Sequence, residues 1–280
     1  MIAKKNRDQL LSNGFCKIPR MLTIDMLNKL RKATDLLLDL QTTEEKANQP
    51  SQGTSIEFNN TSDTLFADLI TLPSSLQALS NLGFKDITFT AGFIISKPAL
   101  SPQLYWHYDW FSWQDPSMYE PVPPQVFFMY YLTDTRRQNG CLRVIAGSHS
   151  KYNTLHALIG RTHRKELNKA TDLNQEDFKT RPDEIDVPVN AGDLLIGDAR
   201  LLHASHPNHT NKRRTVLTLW YQPDFSSLPE RVRAQLVDSH LRPVSKDWSK
   251  EGQAKVAALN PTYTGTAKPY KREFRSRKKE

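Results

Sequence analysis

From Asp86 to Gln222 the chain is a succession of short apolar runs separated by turn residues, and this pattern restricts its fold more than any other feature. The runs "DITFTAGFIIS", "QLYWHYDW", "QVFFMYYLT", "CLRVIAG", "EIDVPVN", "DLLIGD" and "RTVLTLWYQ" are rich in β-branched and aromatic residues, as strands are. Between them lie "DTRRQNG", "NAGD" and "HPNHTNK", which carry the chemistry of turns. No helical pattern alternates with these strands, which argues against a parallel βαβ sheet and for an antiparallel jelly roll over residues 86–222. The exception is a polar, partly helical insertion from Lys151 to Pro182. An insertion of that length at one end of a β scaffold is either a lid or binding loop or an inert excursion.

The flanks have a different character. Residues 1–85 are expected to be mainly helical, with a turn at Asn13-Gly14, a strand from Phe15 to Ile18 and a packing helix that starts near Thr23 as N-cap. Met26, Leu27, Leu30, Leu37 and Leu38 give that helix its apolar face, and a further helix is expected around Leu65–Leu82. Polar residues 41–63 suit a surface loop, and residues 42–62 together with the 151–182 insertion are the expected covers of a substrate site. A C-terminal helix over 228–240 would complete a single domain spanning 1–240, followed by a polar basic tail over 241–280.

Charge adds little to this. The net charge is +8, but much of the excess lies in "AKPYKREFRSRKKE" from Ala267 to Glu280, which reads as a solvated tail. No nucleic-acid fold or basic-aromatic stripe accompanies it, so nucleic acid is not an expected partner. No stretch is apolar enough for a membrane span or a signal peptide. Cys16 and Cys141 are too few for a disulfide framework or a thiolate metal cage, and a reducing, cytoplasmic location is the expectation.

The chemistry concentrates in two places. "YWHYDW" puts His107 and Asp109 two apart on a strand-like segment, where alternation sends both to one face and Tyr108 to the other. An imidazole and a carboxylate on one face are two-thirds of a facial triad, in which two histidines and one carboxylate leave three metal positions open. A third ligand is available in "LLHASHPNHT", where His203, His206 and His209 recur at every third position. Continuing "DLLIGDARLLH" at period two places His203 on the uncharged face with Leu195, Gly197, Ala199 and Leu201. Pro207 and Asn208 then turn the chain, so His206 and His209 are expected in a loop and His203 as the ligand. Arginine's planar fork suits a carboxylate ligand, and Arg213 and Arg214 stand on the following strand. They point to opposite faces, and periodicity does not choose between them.

Taken in order, "GFCKIP", "WHYDW", "NGCLRVIAGSH" and "AGDLLIGDARLLHASHPNHTNKRRTVL" resemble the phytanoyl-CoA dioxygenase family of iron(II)- and 2-oxoglutarate-dependent oxygenases, from about Asn13 to Tyr221. The resemblance implies a double-stranded β-helix, a jelly-roll fold of the cupin kind, flanked by helices. It implies Fe(II) bound by His107, Asp109 and His203, 2-oxoglutarate anchored by Arg214 with Ser205 as a second contact, and O2 as oxidant. The implied reaction couples decarboxylation of 2-oxoglutarate to succinate and CO2 with oxidation, by default hydroxylation, of a C–H bond. Family substrates include acyl-CoAs, amino acids and secondary metabolites, so the expected partner is a small organic molecule, with the net charge weakly favouring an anionic or carrier-bound one. The chain departs from the family at Ala204 and His206, and at Met129 where an aromatic residue is common. For His149 in "GSH" a structural or channel role is expected rather than ligation. Two other readings share the triad: a cupin-like dioxygenase that does not use 2-oxoglutarate, for which Arg214 would be dispensable, and a non-enzymatic binding protein.

Overall fold

The computed structural model describes residues 2–47, 53–58, 61, 64–158, 165–238, 248–271 and 277–279. Its strands are β1 (Phe15–Ile18), β2 (Thr54–Glu57), β3 (Thr88–Lys97), β4 (Leu104–His107), β5 (Val126–Tyr131), β6 (Leu142–Ile145), β7 (Glu184–Val187), β8 (Leu194–Asp198), β9 (His203–Ser205) and β10 (Arg214–Gln222). They form two sheets, of order β1-β8-β5-β10-β3-β2 and β4-β9-β6-β7, with every pairing antiparallel. From β3 to β10 the chain passes repeatedly from one sheet to the other, which winds it into the expected double-stranded β-helix.

The large sheet is buried on both faces, and the sequence shows why. β5 reads Val-Phe-Phe-Met-Tyr-Tyr with all six residues buried. Val126, Phe128 and Tyr130 join a core with the N-terminal helices, while Phe127, Met129 and Tyr131 point between the sheets. β10 divides likewise, with Leu217, Leu219 and Tyr221 outward and Arg214, Val216, Thr218 and Trp220 lining the interior. The helix Ile24–Asp39 covers the outer face with Leu27, Leu30 and Leu38, and Thr23 caps it by accepting from Met26 N at 3.2 Å. Arg213, on the other face of β10 from Arg214, bonds Asp35 and Asp39 of this helix at 2.7 Å each.

Several expectations are corrected. The helix expected over Leu65–Leu82 is two, Thr64–Ile70 and Pro73–Asn81, because Pro73 disrupts a continuous ladder and instead opens the second helix. The expected 41–63 loop contains the helix Thr43–Ala47 and edge strand β2, paired with β3; residues 48–52, 59, 60, 62 and 63 lie outside the described residues, as do 159–164 of the insertion. The C-terminal helix is shorter, Glu230–Val237. Beyond 241 some of the described residues are packed: Val256 and Leu259 join the main core, Trp248 Nε1 donates to Phe58 O at 3.1 Å, and buried Arg277 donates to His149 O and Ser150 O at 2.8 and 2.6 Å, while residues 260–271 are exposed or half-buried.

The strand leading to His203 also departs from expectation. β8 stops at Asp198, and a turn closed by Leu201 N to Asp198 O sends the chain across to β9 in the small sheet. Arg200, 1% exposed, donates from Nε and Nη2 to the equally buried Asp198 carboxylate and from Nη1 to Met118 O and Glu120 O, both at 2.7 Å. Removing one partner of such a pair leaves a buried charge uncompensated. Arg200→Ala is expected to lower stability by about 3–5 kcal/mol in urea denaturation; a loss under about 1 kcal/mol, the range of an exposed pair, would show that the corner does not depend on it.

Candidate active site

The interior between the sheets holds a cavity of about 270 Å³. At the small-sheet side, β4 and β9 pair so that His107 stands opposite His203. Their rings lie 4.2 Å apart, centroid to centroid. The strand ends at His107, so alternation along β4 does not hold Asp109. Its backbone N–H, with that of Trp110, donates instead to Ala199 O in the corner, each at 2.9 Å. That anchor turns the carboxylate back to the histidines: Asp109 Oδ1 lies 3.8 Å from His107 Nε2 and 3.9 Å from His203 Nε2.

The histidine tautomers follow from their other ring nitrogens. His107 Nδ1 faces Tyr105 O at 3.1 Å and His203 Nδ1 faces Leu201 O at 3.0 Å. A carbonyl only accepts, so each Nδ1 donates, which leaves each Nε2 turned toward Asp109 Oδ1 as the atom available to a metal. This backbone support is the arrangement that orients imidazoles at a metal. Two imidazoles and a carboxylate, with ligand atoms within 4.8 Å of one another, form a donor set that can hold a divalent cation.

Arg214 enters the same cavity from β10. Its side chain is buried; Nη2 donates to Gly140 O at 2.9 Å, while Nε has no hydrogen-bond partner. Tyr131 sets its ring 5.5 Å from the guanidinium, and no carboxylate among the described residues pairs with it. Burial holds its pKa below the usual arginine value, with the nearby Tyr131 and Cys141 acting in the opposite sense. A buried guanidinium with an unmet donor fits an anionic ligand. Ser205 and Met129 line the cavity too.

The remaining histidines divide as their surroundings dictate. His149 Nε2 donates to Leu11 O at 3.0 Å and packs against Gly14, whose φ is +86° and where a Cβ would come 2.7 Å from the imidazole. Its role is to tie the helix Ile2–Asn13 to the corner after β6. His206 lies past β9 with Cys141 and Asp186, a second group of metal-ligand types. There Asp186 is already engaged by His206 at 2.5 Å and Arg137 at 3.3 Å, so the group reads as an ion-pair network. His209 is exposed. Among the aromatic residues near the site, Phe111 and Tyr131 line the cavity, whereas Trp106, Trp110 and Trp113 do not line it and pack in a core of their own that Phe111 also joins.

Sequence reasoning missed two features. Trp220 Nε1 donates to Asp109 Oδ2 at 2.8 Å, and Gly140, expected only as a turn residue, holds Arg214 by its carbonyl. The period-two face of β10 that carries Arg214 also carries Trp220, and this was the available signal. A third close approach lies beneath His203. Gly197 faces Phe127, where a Cβ would meet the ring at 2.0 Å, and that ring packs 5.1 Å from His203. Gly197→Ala is therefore expected to cost about 1–3 kcal/mol by overpacking and to weaken divalent-metal binding; calorimetry showing both unchanged would mean the Phe127 ring is not confined there.

Comparison with known proteins agrees with this geometry. No curated protein sequence matches the chain. Among solved structures, the fold is similar to that of the non-heme alpha-ketoglutarate-dependent epimerase SnoN from nogalamycin biosynthesis (17% identity, 79% of this chain and 83% of that one, TM-score 0.60). It is similar to EctD from S. alaskensis with bound Fe (18% identity, 97% and 85%, TM-score 0.59) and to HygX from Streptomyces hygroscopicus with nickel and 2-oxoglutarate bound (20% identity, 79% and 86%, TM-score 0.58). At such identities the likeness establishes the fold. The sequence profile of phytanoyl-CoA dioxygenase (PhyH) matches residues 10–216, a span that runs from before β1 into the start of β10 and holds the His-Asp-His group and Arg214. The chain belongs to the phytanoyl-CoA dioxygenase family, a family of iron(II)- and 2-oxoglutarate-dependent oxygenases.

Proposed function

We propose that His107, Asp109 and His203 bind Fe(II), that Arg214 anchors the distal carboxylate of 2-oxoglutarate, and that the protein hydroxylates a C–H bond of a small organic molecule. One observation carries this reading. The three convergent ligands and a buried guanidinium with an unmet donor open onto one cavity. Bound iron with 2-oxoglutarate and O2 supplies the oxidising power, converting 2-oxoglutarate to succinate and CO2. The protein's own part is positional. His107 and His203 are locked as Nε2 donors by Tyr105 O and Leu201 O, Arg214 is steadied by Gly140 O, and Ser205 offers a hydroxyl beside them.

Asp109 is present as a carboxylate, which suits oxygen transfer rather than a site with a ligand position vacated for halide. The rest of the lining points to the substrate. Thr90, Ala91, Phe93, Phe111 and Gln125 add neutral polar and aromatic surface. Apart from the residues assigned to metal and cosubstrate, the described lining offers no side chain that would neutralise a charge. An anion there would lose hydration without compensation. The reacting part of the substrate is therefore uncharged and compact, and any anionic or carrier-bound portion of it stays outside the cavity. Cys16 and Cys141 are both free and buried, which suits a reducing, cytoplasmic setting.

The test is an anaerobic titration of the apo-protein with iron(II) and 2-oxoglutarate, following the visible metal-to-ligand charge-transfer band. Wild type is expected to form the band and Asp109→Ala to lose it. Arg214→Ala is expected to need about tenfold or more 2-oxoglutarate, the effect of losing charge-assisted hydrogen bonds worth roughly 1.5–3 kcal/mol. Iron-loaded wild type without a band would exclude 2-oxoglutarate and favour a cupin-like dioxygenase that does not use it.

A further inference from the structure

The two oxygens of the Asp109 carboxylate have different neighbours. Oδ1 is the atom set 3.8 and 3.9 Å from the two histidine Nε2 atoms, whereas Oδ2 accepts the indole N–H of Trp220 at 2.8 Å. An indole nitrogen only donates and an ionised carboxylate only accepts, so the polarity of this bond is unambiguous. It also crosses the cavity, joining the segment after β4 in the small sheet to β10 in the large one.

The Trp220 ring is itself held. It packs edge-on against Phe93, with centroids 5.6 Å apart and planes at 84°. On one side Trp220 pairs in register with Phe127 of β5. On the other the ladder is irregular: Trp220 pairs with Ala91 and Tyr221 with Phe89, so Thr90 is left over as a bulge. Bulges increase local twist and re-aim side chains, and they recur beside active sites. Thr90, the extra residue, turns its hydroxyl to Gln222 Oε1 at 2.6 Å, which secures the bulge next to Trp220.

We propose that Trp220 is a positioning residue for the metal, whose N–H occupies Asp109 Oδ2 so that the carboxylate ligates through Oδ1 alone. The consequence is a count of positions. Two imidazoles and a one-oxygen carboxylate leave three corners of an octahedron, as a two-point cosubstrate and O2 require. A carboxylate bound through both oxygens leaves two, and one of the reactants has no place. This inference rests on the preceding assignment of His107, Asp109 and His203 to iron.

The experiment compares wild type with Trp220→Phe in the absence of O2, by calorimetric titration with iron(II) and then by the charge-transfer band on adding 2-oxoglutarate. Neither readout depends on turnover or on the substrate. The variant is expected to be folded by circular dichroism, to bind iron about tenfold or more weakly, as loss of partners to metal ligands does, and to show a shifted or weakened band. A folded variant that matches wild type in iron affinity and band overturns the role of Trp220 while leaving the iron assignment intact. Wild type that binds no iron overturns both. If Trp220→Phe fails to fold, benzothienylalanine placed at position 220 keeps the ring's shape, replaces N–H by sulfur, and is judged by the same two results.

Discussion

The buried ion pair between Asp198 and Arg200 is the constraint from which the site descends. It closes the corner where the chain leaves the large sheet for the small one, and all three candidate ligands are placed from that corner. Ala199 O, between the paired residues, receives the N–H groups of Asp109 and Trp110. Leu201 O receives the imidazole of His203. β9 then begins at His203 itself, and its pairing with β4 sets His107 opposite. A charge buried at 1% exposure is tolerable only because each side satisfies the other and the two spare donor directions of Arg200 end on Met118 O and Glu120 O. The geometry of the ligands thus inherits the rigidity of a fully satisfied polar knot.

Paired and unpaired charges separate structural from functional roles elsewhere in the molecule. The network of Arg137, Arg143, Glu184, Asp186 and His206 on the small sheet contains as many candidate ligands as the active site, yet its charges are already paired. Arg214 is the opposite case, a buried cation given one carbonyl and one aromatic face. Leaving its donor unmet costs stability in the ligand-free protein, a cost that an anion bound as proposed would recover. Thr218, buried on the same face of β10 with its hydroxyl unpartnered, belongs to the same class and marks the wall of the cavity as a binding surface.

Much of this was legible in the sequence because strand period and residue type report local environment directly. Alternation in "VFFMYYL" and "RTVLTLWY", turn residues between runs, and the two-residue spacing of His107 and Asp109 all survive in the structure. His203 was reached by extending the β8 period across residues 199–202, although the chain turns there; the residue lies beside the other two because β9 pairs with β4. Asp109 shares a face with His107 by way of Ala199 O, since β4 has already ended. In both places the inferred proximity holds while the inferred cause does not: strand pairing between β9 and β4 brings His203 in, and a backbone hydrogen bond to Ala199 O replaces the strand at Asp109.

By itself the sequence determined the class of fold, the alternation that gives the central strands of the large sheet a helix-facing and a cavity-facing side, and which residue types are available for metal and carboxylate chemistry. These follow from short-range physics: side-chain volume, period and turn propensity. The tertiary structure alone decided that Asp198 and Arg200 close the corner, that Gly140 O steadies Arg214, that Trp220 reaches Asp109, and that the chain beyond 241 folds back onto the core. Each of these joins residues tens of positions apart or redirects the backbone, with the pairing chosen by where buried donors find acceptors once the two sheets have closed on each other.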